Sequence, residues 1–353
     1  MAHPSRSAVS VLAAVSRRAA RWLAYLVALC AVVLATIVLG FAVQARGSYP
    51  DLHPWHRVVL AREYRAGEAD SPTSFDAYRA LEDGSLPQPE RLYLVSPAIG
   101  ITPFAALTNV AAGLSFLPAF EKSKWIDVRP EYDPYKYNSF PVNAAKQIYN
   151  LTRVLHRELL AAEKDGLLDR MPKVCVFQSV VDSTITAQEV VRGLLAHLPA
   201  NGHELVAFDV NRREALEGLL APGPLEDLER LRNEPSLPFR LTIVGNRPDG
   251  TARVATYTRE AGEREITEHD LPLEWPRGVF SVGHVSLPFP PDDPVYGLEP
   301  AGGGTLRFNL GAVPARGEDG ALLVPLGMFA RLRSNPFFDV IRAKVVESLA
   351  AER

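Results

Sequence analysis

Lys173-Val174-Cys175-Val176-Phe177-Gln178-Ser179-Val180-Val181-Asp182 is the stretch on which the fold turns. After Lys173 the next four residues are apolar without a polar alternation, the pattern of a strand covered on both faces, and predict a strand over residues 173–177. The chain leaves that strand over residues 178–183, so Asp182 stands in the exit. Residues 186–198 then place Val190, Val191, Leu194 and Leu195 at helical spacing, and Gly202 closes the helix. A second strand is expected over residues 204–208. Strand, amphipathic helix and strand in this order imply a parallel pair.

The same grammar extends in both directions. Upstream, Asn143 opens a helix whose Ile148, Leu151, Leu155 and Leu159 step by three and four, ending near Gly166. Residues 91–95 form a short strand closed by Ser96-Pro97, and residues 104–117 are apolar and alanine-rich enough for a helix. Between them and Asn143, Trp125, Tyr132, Tyr135, Tyr137 and Phe140 alternate with Pro130, Pro134 and Pro141, an irregular aromatic lobe. It reads as a loop packed on the core, with a lid over a substrate as the competing reading. Downstream, residues 240–244 and 253–257 flank Pro248-Asp249-Gly250 and read as an antiparallel hairpin. Ser334-Asn335-Pro336 starts a last helix with Phe338, Ile341, Val345 and Leu349 on one face. The expected fold class is α/β, a mostly parallel sheet with flanking helices.

Composition narrows the function classes. A nearly balanced net charge of -3 over 353 residues does not suggest a nucleic-acid binder, and no nucleic-acid partner is expected. Cys30 and Cys175 are the two cysteines, too few for a disulfide framework or a zinc cluster. Residues 22–43 are uncharged and apolar, long enough to cross a hydrocarbon core of about 30 Å. Arg6, Arg17, Arg18 and Arg21 precede the run and Arg46 follows it, so the positive-inside rule leaves residues 1–21 as a basic cytoplasmic tail. The expected localisation is the cytoplasmic membrane, single-pass, with the remaining chain on the outer, periplasmic side. A cleaved signal peptide is the competing reading, with Val43-Gln44-Ala45 as its cleavage site, but the run exceeds the roughly 7–15 residues of a signal core. Residues 44–90, with a short helix at 75–82, are a connector, and residues 91–353 the folded domain.

Working residues in such sheets stand just beyond the carboxyl ends of strands. Asp182 meets that condition. His284 meets it if Val279, Phe280 and Val282 form a strand ending at Gly283. Beyond His284 the chain enters the proline-locked Leu287-Pro288-Phe289-Pro290-Pro291-Asp292-Asp293, whose two aspartates lie near enough in sequence to orient the imidazole. A turn histidine beside a solvated acidic loop is the bland alternative. A metal site built on His284, Asp292 and Asp293 has no recognised ligand spacing, so neither metal nor other cofactor is expected. An acid that fixes the tautomer of a histidine base is two thirds of a nucleophilic triad.

Several blocks carry a family resemblance: Leu92-Tyr93-Leu94-Val95-Ser96-Pro97-Ala98-Ile99-Gly100, Pro130-Glu131-Tyr132-Asp133-Pro134-Tyr135-Lys136-Tyr137, residues 178–184, Phe208-Asp209-Val210-Asn211-Arg212 and the His284 loop. Together, and with His53-Pro54-Trp55-His56 after the apolar run, they resemble bacterial membrane-anchored α/β-hydrolases, esterases or lysophospholipase-like enzymes. The resemblance implies an ester or lipid-like substrate, Asp182 as triad acid and His284 as triad base. What is missing is the Gly-x-Ser-x-Gly elbow on which that family's nucleophile sits. Ser96 precedes Pro97, which has no N–H for an oxyanion, and Ser115 has Leu117 where the second glycine belongs. At about 30 residues per βαβ unit, the connector cannot hold the strands that such a sheet places before the acid. The chain therefore reads as an incomplete hydrolase-like sheet, shortened near residues 80–84 and inactive as written. The alternative is a non-catalytic membrane-anchored binding protein derived from that fold.

Overall fold

The computed structural model describes residues 25, 89–99, 124–128, 139–182, 185–214, 222–297 and 333–351. The expected transmembrane run, apart from Tyr25, the helices at 75–82 and 104–117, and most of the aromatic lobe lie outside these. No helix among the described residues is long and apolar enough to cross a membrane. The chain divides into two compact units, residues 1–63 with 104–146, and residues 64–103 with 147–353.

In the first unit, β2 (Trp125–Asp127) pairs antiparallel with β3 (Phe140–Pro141), and Trp125 is buried. The second unit is built on one six-stranded sheet in the order β1-β4-β5-β6-β7-β8. Its strands are β1 (Arg91–Val95), β4 (Lys173–Ser179), β5 (Glu204–Phe208), β6 (Arg240–Asn246), β7 (Arg253–Arg259) and β8 (Ile266–Glu274). β1, β4, β5 and β6 run parallel, and β7 and β8 add antiparallel at the far edge. The mostly parallel α/β sheet read from the sequence is thus present, with β1 and β5 at the expected bounds and β4 two residues longer. β8 was not foreseen: its Glu268, His269, Asp270 and Pro272 mask it, and those are the residues that keep an exposed edge strand from pairing with another chain.

Period-two alternation sorts the strand side chains into two cores. On one face Leu92, Leu94, Val174, Val176, Leu205, Ala207, Leu241 and Ile243 pack against helices. These are α1 (Val142–Lys164), which contributes Leu155 and Leu159, α2 (Ala187–Val190) continuing as a π-turn over Val191–Leu195, and α3 (Pro222–Asn233), which contributes Leu228 and Leu231. Thr186 caps α2 by accepting the Glu189 N–H at 3.2 Å. On the other face Cys175, Phe177, Val206, Phe208 and Val244 meet the loop side chains Val279, Val282 and Leu287. There they also meet Val340 and Ile341 of α4 (Phe338–Ala351). The expected inward face of α4 ends early, since Leu349 is 57% exposed.

The amino ends of the strands hold a buried polar group. Glu204 accepts Thr242 Oγ1 at 2.6 Å and Lys344 Nζ at 2.7 Å, which ties α4 to the sheet. His203, 1% exposed, accepts the Val174 N–H on Nδ1 at 3.0 Å, and burial pushes its pKa from 6.5 down to about 4. The unfolded imidazole takes a proton near 6.5 and the folded one refuses it until about 4, so acid favours unfolding across that window. About 3 kcal/mol of stability present at pH 7 should be lost on descending to pH 4 through this group. Urea unfolding at both pH values checks it: His203→Asn, which keeps an acceptor for Val174, should lose less stability than the wild type by most of that amount. An equal loss in both chains would remove His203 from the account.

Candidate functional site

β4 ends at Ser179 with Phe177 and Ser179 pointing to the loop face and Gln178 to the helix face. A turn follows, closed by the Asp182 N–H to the Ser179 carbonyl at 3.2 Å, and delivers the Asp182 carboxylate into the interior, 1% exposed. That carboxylate is held on both oxygens. Oδ1 accepts the Ile185 N–H at 3.1 Å, and Oδ2 accepts Gln178 Nε2 at 3.0 Å. Gln178, fully buried, also donates to the Ile185 carbonyl at 2.7 Å. The acid therefore has a set orientation, since rotating it would break both bonds.

His284 faces it, with Nδ1 3.8 Å from Asp182 Oδ1 and the imidazole 32% exposed. The distance is within ion-pair reach and longer than a hydrogen bond, as is common for catalytic pairs without substrate. The two residues singled out in sequence are thus brought together from positions 182 and 284. The expected strand before His284 is absent: residues 279–282 are a loop. Their hydrogen bonds go elsewhere. Asn211, 2% exposed, donates its N–H to the Phe280 carbonyl at 2.7 Å and its Nδ2 to the Val279 carbonyl at 2.9 Å. Val279, Phe280 and Val282 are buried as single apolar contacts, so strand-forming residue types here report burial and not pairing. His284 then occupies a turn in which both the N–H and the hydroxyl of Ser286 donate to the Gly283 carbonyl, at 2.9 and 3.0 Å.

Beyond it, Asn335, fully buried, donates Nδ2 to the Leu287 carbonyl at 3.3 Å and its N–H to the Phe289 carbonyl at 2.7 Å. Phe289 packs on Tyr296 with ring centroids 4.5 Å apart. The histidine loop is thus strapped at one end by Asn211 and at the other by Asn335. Asp293 does not serve His284: its Oδ1 accepts the N–H groups of Val295 and Tyr296 in its own turn, and Asp292 is exposed. Among the described residues, the carboxylate that meets the imidazole is Asp182.

Gln178, Asn211 and Asn335 were not assigned roles in sequence. Gln178 carried a signal, a large polar residue within an otherwise apolar strand, where a buried amide must find partners.

Ser96 sits just past β1, beside β4, and its N–H donates to the Phe177 carbonyl at 2.9 Å. Among the described residues it is the one non-glycine with positive φ, at 44°, and its buried hydroxyl finds no hydrogen-bond partner among them. Ser115 lies outside the described residues. No family model, no curated protein and no solved structure matches this chain.

Proposed function

We propose that the chain is an α/β-hydrolase-type protein of the cell envelope, anchored by residues 22–43, whose site is arranged for carboxylic-ester hydrolysis with His284 as general base and Asp182 as its orienting acid. The observation that carries this reading is the buried, doubly hydrogen-bonded Asp182 carboxylate at a strand's carboxyl end, 3.8 Å from a half-exposed histidine. In such a site the imidazole takes the nucleophile's proton as the ester carbonyl is attacked and returns it to the leaving alcohol. The carboxylate stabilises the imidazolium between those steps. The substrate is an ester or lipid-like molecule. The serine belongs to a Gly-x-Ser-x-Gly segment that this sequence does not contain, so the chain as written keeps the acid–base pair without turnover.

A second reading is supported by Ser96, because a strained residue after a strand is where an elbow serine stands. The chain order Ser96, Asp182, His284 is also that of an α/β-hydrolase triad. Against it, Pro97 has no N–H to offer an oxyanion. A fluorophosphonate probe separates the readings. The chain as written should neither label nor cleave short p-nitrophenyl esters. Label mapped by mass spectrometry to Ser96 would move the nucleophile there and mean that the sequence is whole.

A further inference from the structure

We propose that the cleft between the last turn of α3 and the β6–β7 hairpin is a binding site for a phosphate group. The cleft encloses about 480 Å³ and is walled by Ile243, Gly245, Asn246 and Tyr257. It lies at the carboxyl ends of β5 and β6, the edge of a parallel sheet at which α/β proteins hold ligands. Four arginines line it from three separate segments: Arg212 and Arg213 from the run after β5, Arg232 from α3, and Arg247 from the residue after β6. Asp209 is the one carboxylate in its lining.

Three of the four arginines are braced by acids, Arg212 by one that lines the cleft, and Arg232 and Arg247 by partly exposed ones. Arg212 is gripped by Asp209, with Nε to Oδ2 at 2.8 Å and Nη2 to Oδ1 at 3.3 Å, while its backbone N–H is fixed by Asn246 Oδ1 at 2.8 Å. Arg232 is held by Glu229 at 3.4 Å, and Arg247 by Asp249 at 3.4 Å and by Asp270. Glu229, Asp249 and Asp270 are 49%, 38% and 48% exposed, so water screens the charge they present to the cleft. Arg213 forms no ion pair among the described residues. Each guanidinium carries five N–H donors in a planar fork, and although Arg247 also meets Glu268 at 3.8 Å, no acid among the described residues takes those of Arg213.

A cleft that gathers four forks matches a dianion with three terminal oxygens better than a carboxylate, which a single fork satisfies. A Cβ at Gly245 would stand 3.4 Å from Asp209 Cβ and Oδ2, in van der Waals contact with the one acid of the described lining. The cleft is also tied to the histidine loop. Asn246, which fixes Arg212, donates Nδ2 to Asn211 Oδ1 at 3.3 Å, and Asn211 holds the carbonyls of Val279 and Phe280.

The test is calorimetric titration of the full chain, in neutral detergent and low salt, with inorganic phosphate, glycerol 3-phosphate and a short-chain phosphatidic acid in the micelle. At least one probe should bind saturably, about tenfold more weakly in Arg213→Gln and below detection when Arg247→Gln is added, with Arg153→Gln on α1 binding as the wild type does. Binding of the soluble phosphates assigns a soluble ligand, and binding of the lipid alone assigns a lipid headgroup. Either result upholds the site if Arg213→Gln weakens it. No saturable binding to any probe, or affinity unchanged in the double variant whose thermal melt matches the wild type, overturns it. The readout is binding, so it stands or falls independently of hydrolysis at His284.

Discussion

His284→Ala, made in a chain to which the Gly-x-Ser-x-Gly segment has been restored near residue 83, is expected to lower kcat by roughly 10⁴- to 10⁶-fold, and Asp182→Asn by a smaller factor of about 10³ to 10⁴. The order follows from what each group does. Without the imidazole the serine proton has no acceptor and the leaving alcohol no donor, so both halves of the reaction fail. Without the carboxylate the imidazole remains, but in the wrong tautomer, facing an amide that donates where Asp182 accepted. Asp182 already accepts the Ile185 N–H and Gln178 Nε2, so an asparagine turned to keep one of these bonds sets its NH₂ against the other donor. The double variant should be little worse than His284→Ala, because the two residues act as one unit. Steady-state kinetics on a short-chain ester, with substrate binding followed separately, checks this. A His284→Ala enzyme within tenfold of the restored parent would mean that the pair is structural.

Arg259→Met is expected to cost about 3–5 kcal/mol of stability, the largest effect of a single substitution far from the site. Arg259 is 2% exposed, on the last residue of β7. Its Nε donates to the Glu263 carbonyl at 2.6 Å, Nη1 to those of Leu231 and Arg232 at 3.3 and 2.9 Å, and Nη2 to that of Glu234 at 2.6 Å. The Leu231 and Arg232 carbonyls belong to the last turn of α3, where the helix leaves acceptors unfilled and carries its negative dipole end. One guanidinium thus caps a helix, holds the α3–β6 connection and fastens the turn after β7. Methionine matches its length but leaves four carbonyls short of a donor, all four in wholly or partly buried hydrogen bonds. Lysine retains the charge without the fork and should recover only part of the loss. Urea unfolding measures it. A change in midpoint worth less than about 1 kcal/mol would show that these carbonyls find water instead.

Arg259 also marks a limit of what a linear reading carries. At the end of Arg253-Val254-Ala255-Thr256-Tyr257-Thr258-Arg259 it looks like an ordinary solvent-facing charge, and nothing within several residues shows that a helix terminus will arrive against it. The same holds for Asn211 and Asn335. Each sits in a polar loop run, and each becomes a strap only because residues 279–289, distant in sequence, fold back onto it.

Where the determining interactions are short-range or periodic, the residues by themselves sufficed. The apolar run of β4, the stepped leucines of α1 and the Gly250 turn of the β6–β7 hairpin each follow from local sterics and from a face that must be buried. They determine the α/β class and place Asp182 at a strand's carboxyl end. Strand-end position singled out Asp182 and His284, and a family resemblance implied their pairing, but its geometry was decided only in three dimensions. The imidazole comes from a loop and not from a strand end, because the Val279 and Phe280 carbonyls are satisfied by one asparagine beyond β5 instead of by a neighbouring strand. Likewise the grouping of Arg212, Arg213, Arg232 and Arg247 around one cleft is a product of the crossover from β5 through α3 to β6. Charges spaced twenty and fifteen residues apart have no reason to meet until that crossover lays α3 beside the β6–β7 hairpin.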